Sequence, residues 1–329
     1  MTVAVDIRVP MGLPLPALID FIRGCEQAGF HGVGLHDHHH IGRDCYVVLG
    51  IAAASTSRLS LYPVTSNTVT RHPLVLAALA NSLAEFAPRR TCITLGPGFL
   101  SVEAAGESRA TIDDLRRAVR AIRALLAGET AEFKGVPVRL RNHPSGKLPV
   151  LLTASGPRLL ELAGEVADGA VMLVGLDPQM VAAARRHLAA GAERAGRNPK
   201  DLLEIFVTPI AVGDRAVMCQ WPRQWFRPGQ PWLEYPSRSN LHWLRYAGID
   251  LPPGHNPASI SEAQAEAICD RLGLFGPAEY CAERLLRAQE EAGVERVFLF
   301  PAHTAATSYE LPWAEVEAFR RVIGPRLRA

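Results

Sequence analysis

Short apolar runs alternate with amphipathic stretches along most of this chain. The first such pair is a strand at 3–9, which Asp6 and Arg8 interrupt, and a helix at 15–28 whose apolar residues recur at helical spacing. The same alternation returns from 32–35 onward and continues past the middle of the chain. Runs that are apolar throughout are typical of strands buried on both faces, as in a parallel sheet covered by helices.

The clearest strand–helix–strand unit lies at 148–174. Val150-Leu151-Leu152 predicts a buried strand, the turn Ala154-Ser155-Gly156-Pro157 ends it, and an amphipathic helix leads to a second strand at 170–174. Pro157 suits a first helical turn, and the unpaired amide groups of a helix start suit a phosphate. A plain helix start, capped by Ser155, is the more common use of such a turn, so both interpretations stay open here.

The whole pattern predicts an α/β protein with about eight strands, each followed by a helix, which favours a (β/α)8 TIM barrel that spans 1–329 as a single domain. The alternation lapses at about 214–260, where Pro, Trp, Arg and Tyr are frequent. We expect this segment to be an insertion before the last βα unit. It is either a lid over a planar ligand or the cover of an oligomer interface.

Polar and glycine-rich clusters follow the predicted strands more often than they precede them. In a (β/α)8 barrel the active site forms at the carboxyl ends of the strands, so this asymmetry indicates an enzyme. The clusters are His36-Asp37-His38, Thr65-Ser66-Asn67, Gly96-Pro97-Gly98 and Ser155-Gly156.

Composition narrows the class of protein further. The net charge of +2 gives no strong attraction to nucleic acid or to a membrane surface, and no apolar stretch reaches the length of a bilayer. The 6 cysteines are scattered, with no C-x-x-C pair, which is typical of reduced thiols in the cytoplasm. We therefore expect a cytoplasmic enzyme for a small organic substrate, with neither nucleic acid nor membrane as a partner.

Candidate acid–base chemistry lies in the segment His36-Asp37-His38-His39-His40. Few acids lie nearby and the spacing matches no common zinc motif, so we expect no metal site. Asp37-His38 is the better candidate, because a carboxylate can hold an imidazole near neutral pH; a structural salt bridge is the alternative. Arg71 is either an anion clamp or a support for the next helix, and Glu103 is either a pocket acid or an exposed loop acid.

Four motifs, taken in order, extend this picture: Thr65-Ser66-Asn67-Thr68-Val69-Thr70-Arg71-His72-Pro73; Leu95-Gly96-Pro97-Gly98 with Glu103-Ala104-Ala105-Gly106; Ala154-Ser155-Gly156-Pro157 through Ala167-Asp168-Gly169; and Phe275-Gly276-Pro277 through Gly293-Val294. Together they resemble the luciferase-like monooxygenase superfamily. Within it they are most similar to the coenzyme F420-dependent methylenetetrahydromethanopterin reductases and their relatives. The resemblance covers most of the chain apart from the tryptophan-rich insertion.

This resemblance implies a (β/α)8 barrel that holds a flavin or deazaflavin at the carboxyl ends of its strands. It places Asp37-His38 near the reactive ring, and it places a non-prolyl cis peptide at Val64–Thr65 in a bulge behind the ring. Glu103 corresponds to a pocket acid, with a weaker match. The remaining positions that the resemblance assigns to the cofactor are Ser66, Asn67, Gly96, Gly98, Ala154, Ser155, Gly156, Pro157 and Gly175.

The function implied by the resemblance is an oxidoreductase that transfers a hydride between coenzyme F420 and an organic substrate. Two alternatives remain: an FMN-dependent monooxygenase that uses reduced flavin and oxygen, and a non-catalytic barrel that binds a flavin-like ligand. The family resemblance also implies a homodimer. The apolar helices predicted at 46–56 and 74–83 are the candidates for its interface.

Overall fold

The structure, a computed structural model, describes residues 3–143, 146–224, 238–252, 256–303 and 307–328. Its strands are short, and most of them lie in one parallel sheet. They are β1 (Ala4–Val9), β2 (Gly32–Leu35), β3 (Ser60–Pro63), β4 (Ser66–Asn67), β5 (Ile93–Gly96), β6 (Ala131–Phe133), β7 (Val136–Val138), β8 (Val150–Ala154), β9 (Gly169–Met172), β10 (Leu203–Val212), β11 (Leu274–Gly276) and β12 (Arg296–Pro301).

Parallel pairing winds the sheet into a barrel. The order of hydrogen-bonded neighbours is β3-β2-β1-β12-β10-β9-β8-β5-β4. β3 and β4 are the two halves of one barrel strand, separated by Val64–Thr65, and a parallel bridge between Leu61 and Thr91 links the β3 side to β5. With those halves counted once, the ring has the eight strand positions of a TIM barrel, which confirms the predicted fold.

Helices cover the outside of the barrel, and one continuous apolar core lies between the two layers. The helices predicted at 15–28 and 46–56 are present within one residue of the expected bounds, and the one predicted at 74–83 extends over 73–86. The helices of the described residues are α1 (Leu15–Ala28), α2 (Cys45–Ser55), α3 (Pro73–Phe86), α4 (Leu100–Ala104), α5 (Ile112–Leu126), α6 (Pro157–Val166), α7 (Pro178–Arg194), α8 (Arg215–Met218), α9 (Trp221–Gln224), α10 (Arg238–Leu244), α11 (Glu262–Leu272), α12 (Ala278–Ala292), α13 (Trp313–Ala318) and α14 (Gly324–Arg328).

Alternation along β1 shows how the strands divide their side chains between two cores. Ile7 and Val9 pack outward into the helix-covered core, whereas Asp6 and Arg8 point the other way, into the lumen of the barrel, and are also buried. A second apolar cluster fills the lumen between these polar groups. It consists of Tyr62, Val64, Leu151, Val171, Ile205, Val207 and Phe298.

Local signals in the sequence account for several helix starts. The side chain of Thr111 accepts a hydrogen bond from the Asp114 amide, and the Asp114 carboxylate bonds the Thr111 amide in return, which is a complete capping box for α5. Asp177 caps α7 through the amides of Gln179 and Met180. In both cases the capping residue directly precedes the helix in the sequence, so the signal is local.

The structure adds elements that the pattern did not predict. β6 and β7 form an antiparallel hairpin outside the barrel, and β11 pairs with the end of β10. The segment expected as an insertion, at about 214–260, contains α8, α9 and α10, but 225–237 and 253–255 lie outside the described residues. No helix in the described part of the chain is long and apolar enough to cross a membrane.

Candidate active site

A bulge between β3 and β4 forms one wall of the barrel mouth. The Val64–Thr65 peptide bond is cis, as the family resemblance implied. The Thr65 hydroxyl lies 2.8 Å from the Thr94 hydroxyl and 2.7 Å from the Thr153 hydroxyl. Three neighbouring barrel strands thus meet through hydroxyl groups at this point, and the floor of the mouth there is polar.

Asp37 is buried and is held by a fixed set of donors. Arg71 binds both of its carboxylate oxygens, from Nε at 2.8 Å and from Nη2 at 2.9 Å, and the Ser66 hydroxyl donates at 2.8 Å. Arg71 also bonds Asp44, the residue that caps α2. A bidentate arginine pair of this kind is geometrically restrictive, so Arg71 supports the strand end and the following helix instead of forming a separate anion clamp.

The neighbouring histidines face away from that carboxylate and stack on one another. The ring centroids of His36 and His38 are 4.9 Å apart, and those of His38 and His40 are 5.6 Å apart. Successive residues of an extended segment point to opposite sides, which is why Asp37 and His39 share the other face. The sequence analysis treated Asp37 and His38 as a pair. In the structure Asp37 bonds Arg71 and Ser66, whereas His38 stacks on His36 and His40.

His36 and His38 are neutral at physiological pH. Burial, reinforced by His40 and Arg8, lowers the pKa of His38 to about 4, and the charge of Asp37 opposes this only in part. Burial and the nearby Arg8 also hold the pKa of His36 well below its usual range. A neutral imidazole can accept a proton, so the stack presents a base and not an acid to the mouth.

Arg8 lies beside the stack and is 5% exposed. Its Nε donates to His36 Nε2 at 2.5 Å, its Nη1 lies 3.0 Å from His303 Nδ1, and its Nη2 donates to the Ser308 carbonyl at 2.9 Å. The guanidinium carbon also lies 4.9 Å from the centroid of the Phe300 ring. Residues from the ends of three adjacent strands, β2, β1 and β12, therefore converge on one cation.

The turn after β8 has the features that anion binding requires. Gly156 is the N-cap of α6 and no side chain caps this helix, so the interpretation of a helix capped by Ser155 is wrong. Ser155 is instead held by α10: its carbonyl accepts from Trp243 Nε1 at 2.8 Å and its hydroxyl from Ser239 at 3.2 Å. A Cβ placed on Gly156 would meet nothing within 4 Å. The helix start thus has open space before its unpaired amides, which fits a phosphate.

The other predicted glycines have different physical reasons. Gly98 has φ +87°, and a Cβ there would lie 2.2 Å from Val102 Cγ2. Gly175 has φ +83°, and a Cβ added there would lie 2.7 Å from the Arg271 carbonyl oxygen. At Gly96 the added Cβ would meet Thr65 at 3.0 Å. Close packing explains all three, and a role for them in binding a cofactor stays a prediction.

Glu103 and Asn67 lie on the rim formed by α4 and the bulge. The Glu103 carboxylate is about half exposed and pairs with Arg109 at 2.5 Å. The Asn67 side chain donates to Ser101 at 3.1 Å and accepts from the amides of Val69 and Thr70. Asn67 therefore shapes the loop, whereas Glu103 is an ion pair near solvent.

A cavity of about 1430 Å³ opens at the opposite end of the barrel. Its lining includes Ala4, Ser60, Leu203 and Arg296, which stand at or near the amino ends of strands. Active sites of (β/α)8 barrels form at the carboxyl ends of the strands, so this cavity lies at the end of the barrel opposite to the candidate active site. No group of three or more metal-ligating side chains occurs within the described ranges.

Sequence reasoning missed three parts of the mouth: Arg8, His303 and Trp243. Arg8 did carry a signal, since a charged residue interrupts an apolar strand near its carboxyl end. His303 is 295 positions away from Arg8 along the chain, and Trp243 lies in the insertion. No local pattern connects either residue to its partner.

Comparison with known proteins agrees with the geometry. The statistical description of the luciferase-like monooxygenase family matches residues 4–296. A 5,10-methylenetetrahydromethanopterin reductase of Methanolobus tindarius is 33% identical over 195 residues, which are 57% of this chain and 59% of that protein. An F420-dependent glucose-6-phosphate dehydrogenase of Beutenbergia cavernae is 32% identical over 196 residues, 54% of this chain and 58% of that protein. The match therefore spans somewhat more than half the length of these relatives.

The structural similarity extends over the full barrel. The coenzyme F420-dependent tetrahydromethanopterin reductase of Methanopyrus kandleri superposes with a TM-score of 0.75 at 19% sequence identity, covering 99% of this chain and 100% of that one. At this identity the similarity establishes the fold.

Proposed function

The chain belongs to the luciferase-like monooxygenase family, and from this premise we propose that it is a coenzyme F420-dependent oxidoreductase acting on a small organic substrate. The observation that carries the proposal is the sequence similarity to reductases and dehydrogenases, one of which is named as F420-dependent. When bound, F420 supplies two-electron hydride chemistry. The protein supplies the binding site and the proton transfer.

We assign the phosphate of the cofactor to the α6 turn and its ring to the bulge. The uncapped start of α6 with open space at Gly156 suits one phosphate group. The bulge at Val64–Thr65 lies on the same rim as His36, because the His36 ring forms a hydrogen bond with the backbone of Val64. A ring against the bulge would therefore place the substrate within reach of the histidine stack.

We further propose that His38 accepts a proton from the substrate. Oxidation of a hydroxyl to a carbonyl breaks one C–H and one O–H bond, and the O–H proton needs an acceptor. His38 is neutral because burial lowers its pKa to about 4. Asp37, fixed by Arg71, anchors the segment that carries His38, while Glu103 is a weaker second candidate because it is already paired with Arg109.

Titration of the purified protein with F420 and, separately, with FMN by fluorescence quenching tests the cofactor assignment. We expect micromolar affinity for F420, and about tenfold weaker binding in Gly156→Ala, because a methyl group would occupy the space before the helix start. Gly50→Ala is the matched control, since a Cβ at Gly50 also meets nothing within 4 Å. Tight FMN binding with no F420 binding would contradict the proposal.

Steady-state kinetics test the assignment of His38. We expect His38→Ala to retain F420 binding and to lose turnover, whereas His40→Ala, which removes an exposed ring of the same stack, retains both. Unchanged rates in His38→Ala would rule out this role.

The second candidate function is an FMN-dependent monooxygenase, which the description of the family favours. Reduced FMN supplies oxygen activation when bound, and its single phosphate would fit the same turn. Oxygen uptake that depends on reduced FMN and substrate would support this alternative. Substrate-dependent reduction of F420 without oxygen uptake would exclude it.

We also propose that the protein is a cytoplasmic homodimer. Val47, Ile51 and Val75 are large apolar residues exposed on the neighbouring helices α2 and α3, and a patch of this kind marks an interface. All 6 cysteines are free, which suits a reducing compartment. Light scattering should give twice the mass of one chain, and Val47→Glu with Val75→Glu should give a monomer.

A further inference from the structure

Arg8 is a buried cation that has no carboxylate partner among the described residues. The other buried or half-buried arginines of the lumen and mouth have one: Arg71 pairs with Asp37 and Asp44, and Arg296 pairs with Asp6. Arg8 bonds two imidazoles and one main-chain carbonyl instead. A buried charge without an opposite charge is unfavourable, so its retention at this position calls for a ligand.

The groups around Arg8 do not neutralise it. Burial lowers the pKa of His36 and His303, the latter to about 4, so both rings are uncharged at neutral pH. Burial also raises the pKa of Tyr309, which keeps the nearby phenol protonated. Arg8 itself stays charged, because burial lowers its pKa only to about 10. The cluster therefore carries one positive charge in a poorly solvated position.

The place of Arg8 in the barrel separates it from the cofactor phosphate. Arg8 is near the carboxyl end of β1, beside β2 and β12, whereas the uncapped start of α6 follows β8. With β3 and β4 counted as one strand, β8 is the fourth position from β1 in either direction around the ring. The two anion-binding elements thus lie across the mouth from each other, so one phosphate cannot serve both.

The same arrangement places Arg8 close to the candidate base. Arg8 bonds His36, and the ring of His36 stacks on that of His38 at 4.9 Å. A ligand that contacts both Arg8 and His38 needs an acid group and, a few bonds away, the group that loses the proton. A guanidinium suits a carboxylate or phosphate because it can donate two parallel hydrogen bonds.

We propose that Arg8 binds a carboxylate or phosphate group of the substrate, so that the substrate class is an anionic hydroxyl compound. This inference rests on the proposed function in one respect only, namely that the mouth holds a substrate beside His38. The positive charge, the neutral surroundings and the position opposite the α6 turn carry the rest.

Matched pairs of neutral and acidic probes test the inference on the F420-saturated protein. Propane-1,2-diol is compared with lactate, and glycerol with glycerol 3-phosphate, by thermal shift and calorimetry. We expect at least one acid to bind about tenfold or more tightly than its neutral counterpart. A preference for lactate identifies a carboxylate site, and a preference for glycerol 3-phosphate identifies a phosphate site.

Three variants assign the preference to Arg8. Arg8→Met should abolish it, Arg8→Lys should keep part of it, and Arg43→Met should keep all of it, since Arg43 is a partly buried arginine that bonds the carbonyls of Met11 and Gly12. If Arg8→Met does not fold, the comparison of Arg8→Lys with the natural protein decides, because lysine keeps the charge and loses the two-pronged geometry. An unchanged acid preference in the Arg8 variants, or the absence of any preference in the natural protein, would overturn the inference.

Failure of the proposed function gives a different result. If the protein does not bind F420, the same probes are titrated into the cofactor-free protein. An acid preference that depends on Arg8 under those conditions supports the anion site while the F420 assignment fails. Normal F420 binding with no dependence of the acid preference on Arg8 rejects the anion site alone.

Discussion

Two arginines enter the lumen of this barrel and have opposite electrostatic surroundings. The lower cluster lies toward the amino ends of the strands: Arg296 Nε donates to Asp6 at 2.8 Å, and the same carboxylate accepts from Tyr62 at 2.5 Å and lies 3.0 Å from His31 Nδ1. The upper cluster lies at the carboxyl ends, where Arg8 faces the neutral imidazoles of His36 and His303, the Phe300 ring and the Ser308 carbonyl. Asp6 and Arg8 are two positions apart on one strand and point into the same lumen.

This difference separates a structural ion pair from a binding group. Burial alone raises the pKa of Asp6, but Arg296 and His31 outweigh it, and the resulting pKa lies below the usual value. The charges of Asp6 and Arg296 therefore offset each other in the lower cluster, although Arg296 Nη2 is buried without a hydrogen-bond partner among the described residues. The upper cluster has one charge in excess, at the end of the barrel where the active site forms. Four measurements of stability test whether the two clusters really differ in this way.

The largest effect is expected for Asp6→Asn. The change leaves Arg296 as an unpaired charge in the lumen, and breaking a buried pair from one side costs about 3–5 kcal/mol. Urea unfolding at neutral pH measures the loss in the free energy of unfolding. The double variant Asp6→Leu with Arg296→Met removes both charges and should recover most of that loss. A double variant as unstable as Asp6→Asn would contradict the ion-pair explanation.

A smaller loss is expected for Tyr62→Phe. The Tyr62 hydroxyl is fully buried and donates to the Asp6 carboxylate, and a hydrogen bond to a charged group contributes about 1.5–3 kcal/mol. The same unfolding experiment measures it. Tyr46→Phe is a matched control that removes a buried hydroxyl bonded to the neutral Ser66 hydroxyl at 3.0 Å, and it should cost less. Equal losses would show that the charge on Asp6 does not matter.

The upper cluster should make the fold sensitive to acid. An unfolded histidine has a pKa of about 6.5, whereas burial lowers the pKa of His38 and of His303 to about 4 in the fold. Between these values the unfolded chain binds more protons, so stability is complete above pH about 6.5 and falls toward pH about 4, by at most about 1.4 kcal/mol per pH unit for each histidine. Arg8, which faces both rings, keeps its charge over this range because burial lowers its pKa only to about 10.

Melting temperature measured against pH tests this dependence. His38→Gln and His303→Gln should each make the profile shallower, because each removes one group that must gain a proton when the chain unfolds. His40→Gln should make the profile only slightly shallower, because it removes a neighbour that helps to lower the pKa of His38 without removing His38 itself. A profile that is flat between these pH values in the natural protein would show that the histidines are already protonated in the fold.

The sequence predicted the framework that carries both clusters, but not the directions of their side chains. The strand–helix order and the caps at Thr111 and Asp177 are local signals, so the barrel and the rim with its polar strand ends could be inferred from the pattern. The direction of each side chain could not. Whether His38 shares a face with Asp37 depends on the backbone after β2, where the chain stays extended through His38 before a short helical turn.

Contacts between distant parts of the chain account for the remainder. Arg8 meets His303 only because β12 is the neighbour of β1 in the closed ring. Trp243 reaches Ser155 only because α10 lies over the α6 turn. In both cases the residue type hinted at a role, namely a charge in an apolar strand and tryptophans in an insertion, but the partner followed from topology and not from spacing.

The smallest effect, and the sharpest contrast with Asp6→Asn, is expected for Arg8→Met. Methionine keeps the apolar contacts along the side chain while it removes an unpaired buried charge, and it leaves the Ser308 carbonyl without this donor. These terms oppose each other, so the free energy of unfolding should stay within about 1 kcal/mol of its natural value. His36 and His38 also lose a positively charged neighbour that lowers their pKa. The melting temperature of Arg8→Met should therefore fall less steeply as pH is lowered. A loss as large as that of Asp6→Asn would mean that Arg8 holds the barrel together, and the upper cluster would then be a second structural centre.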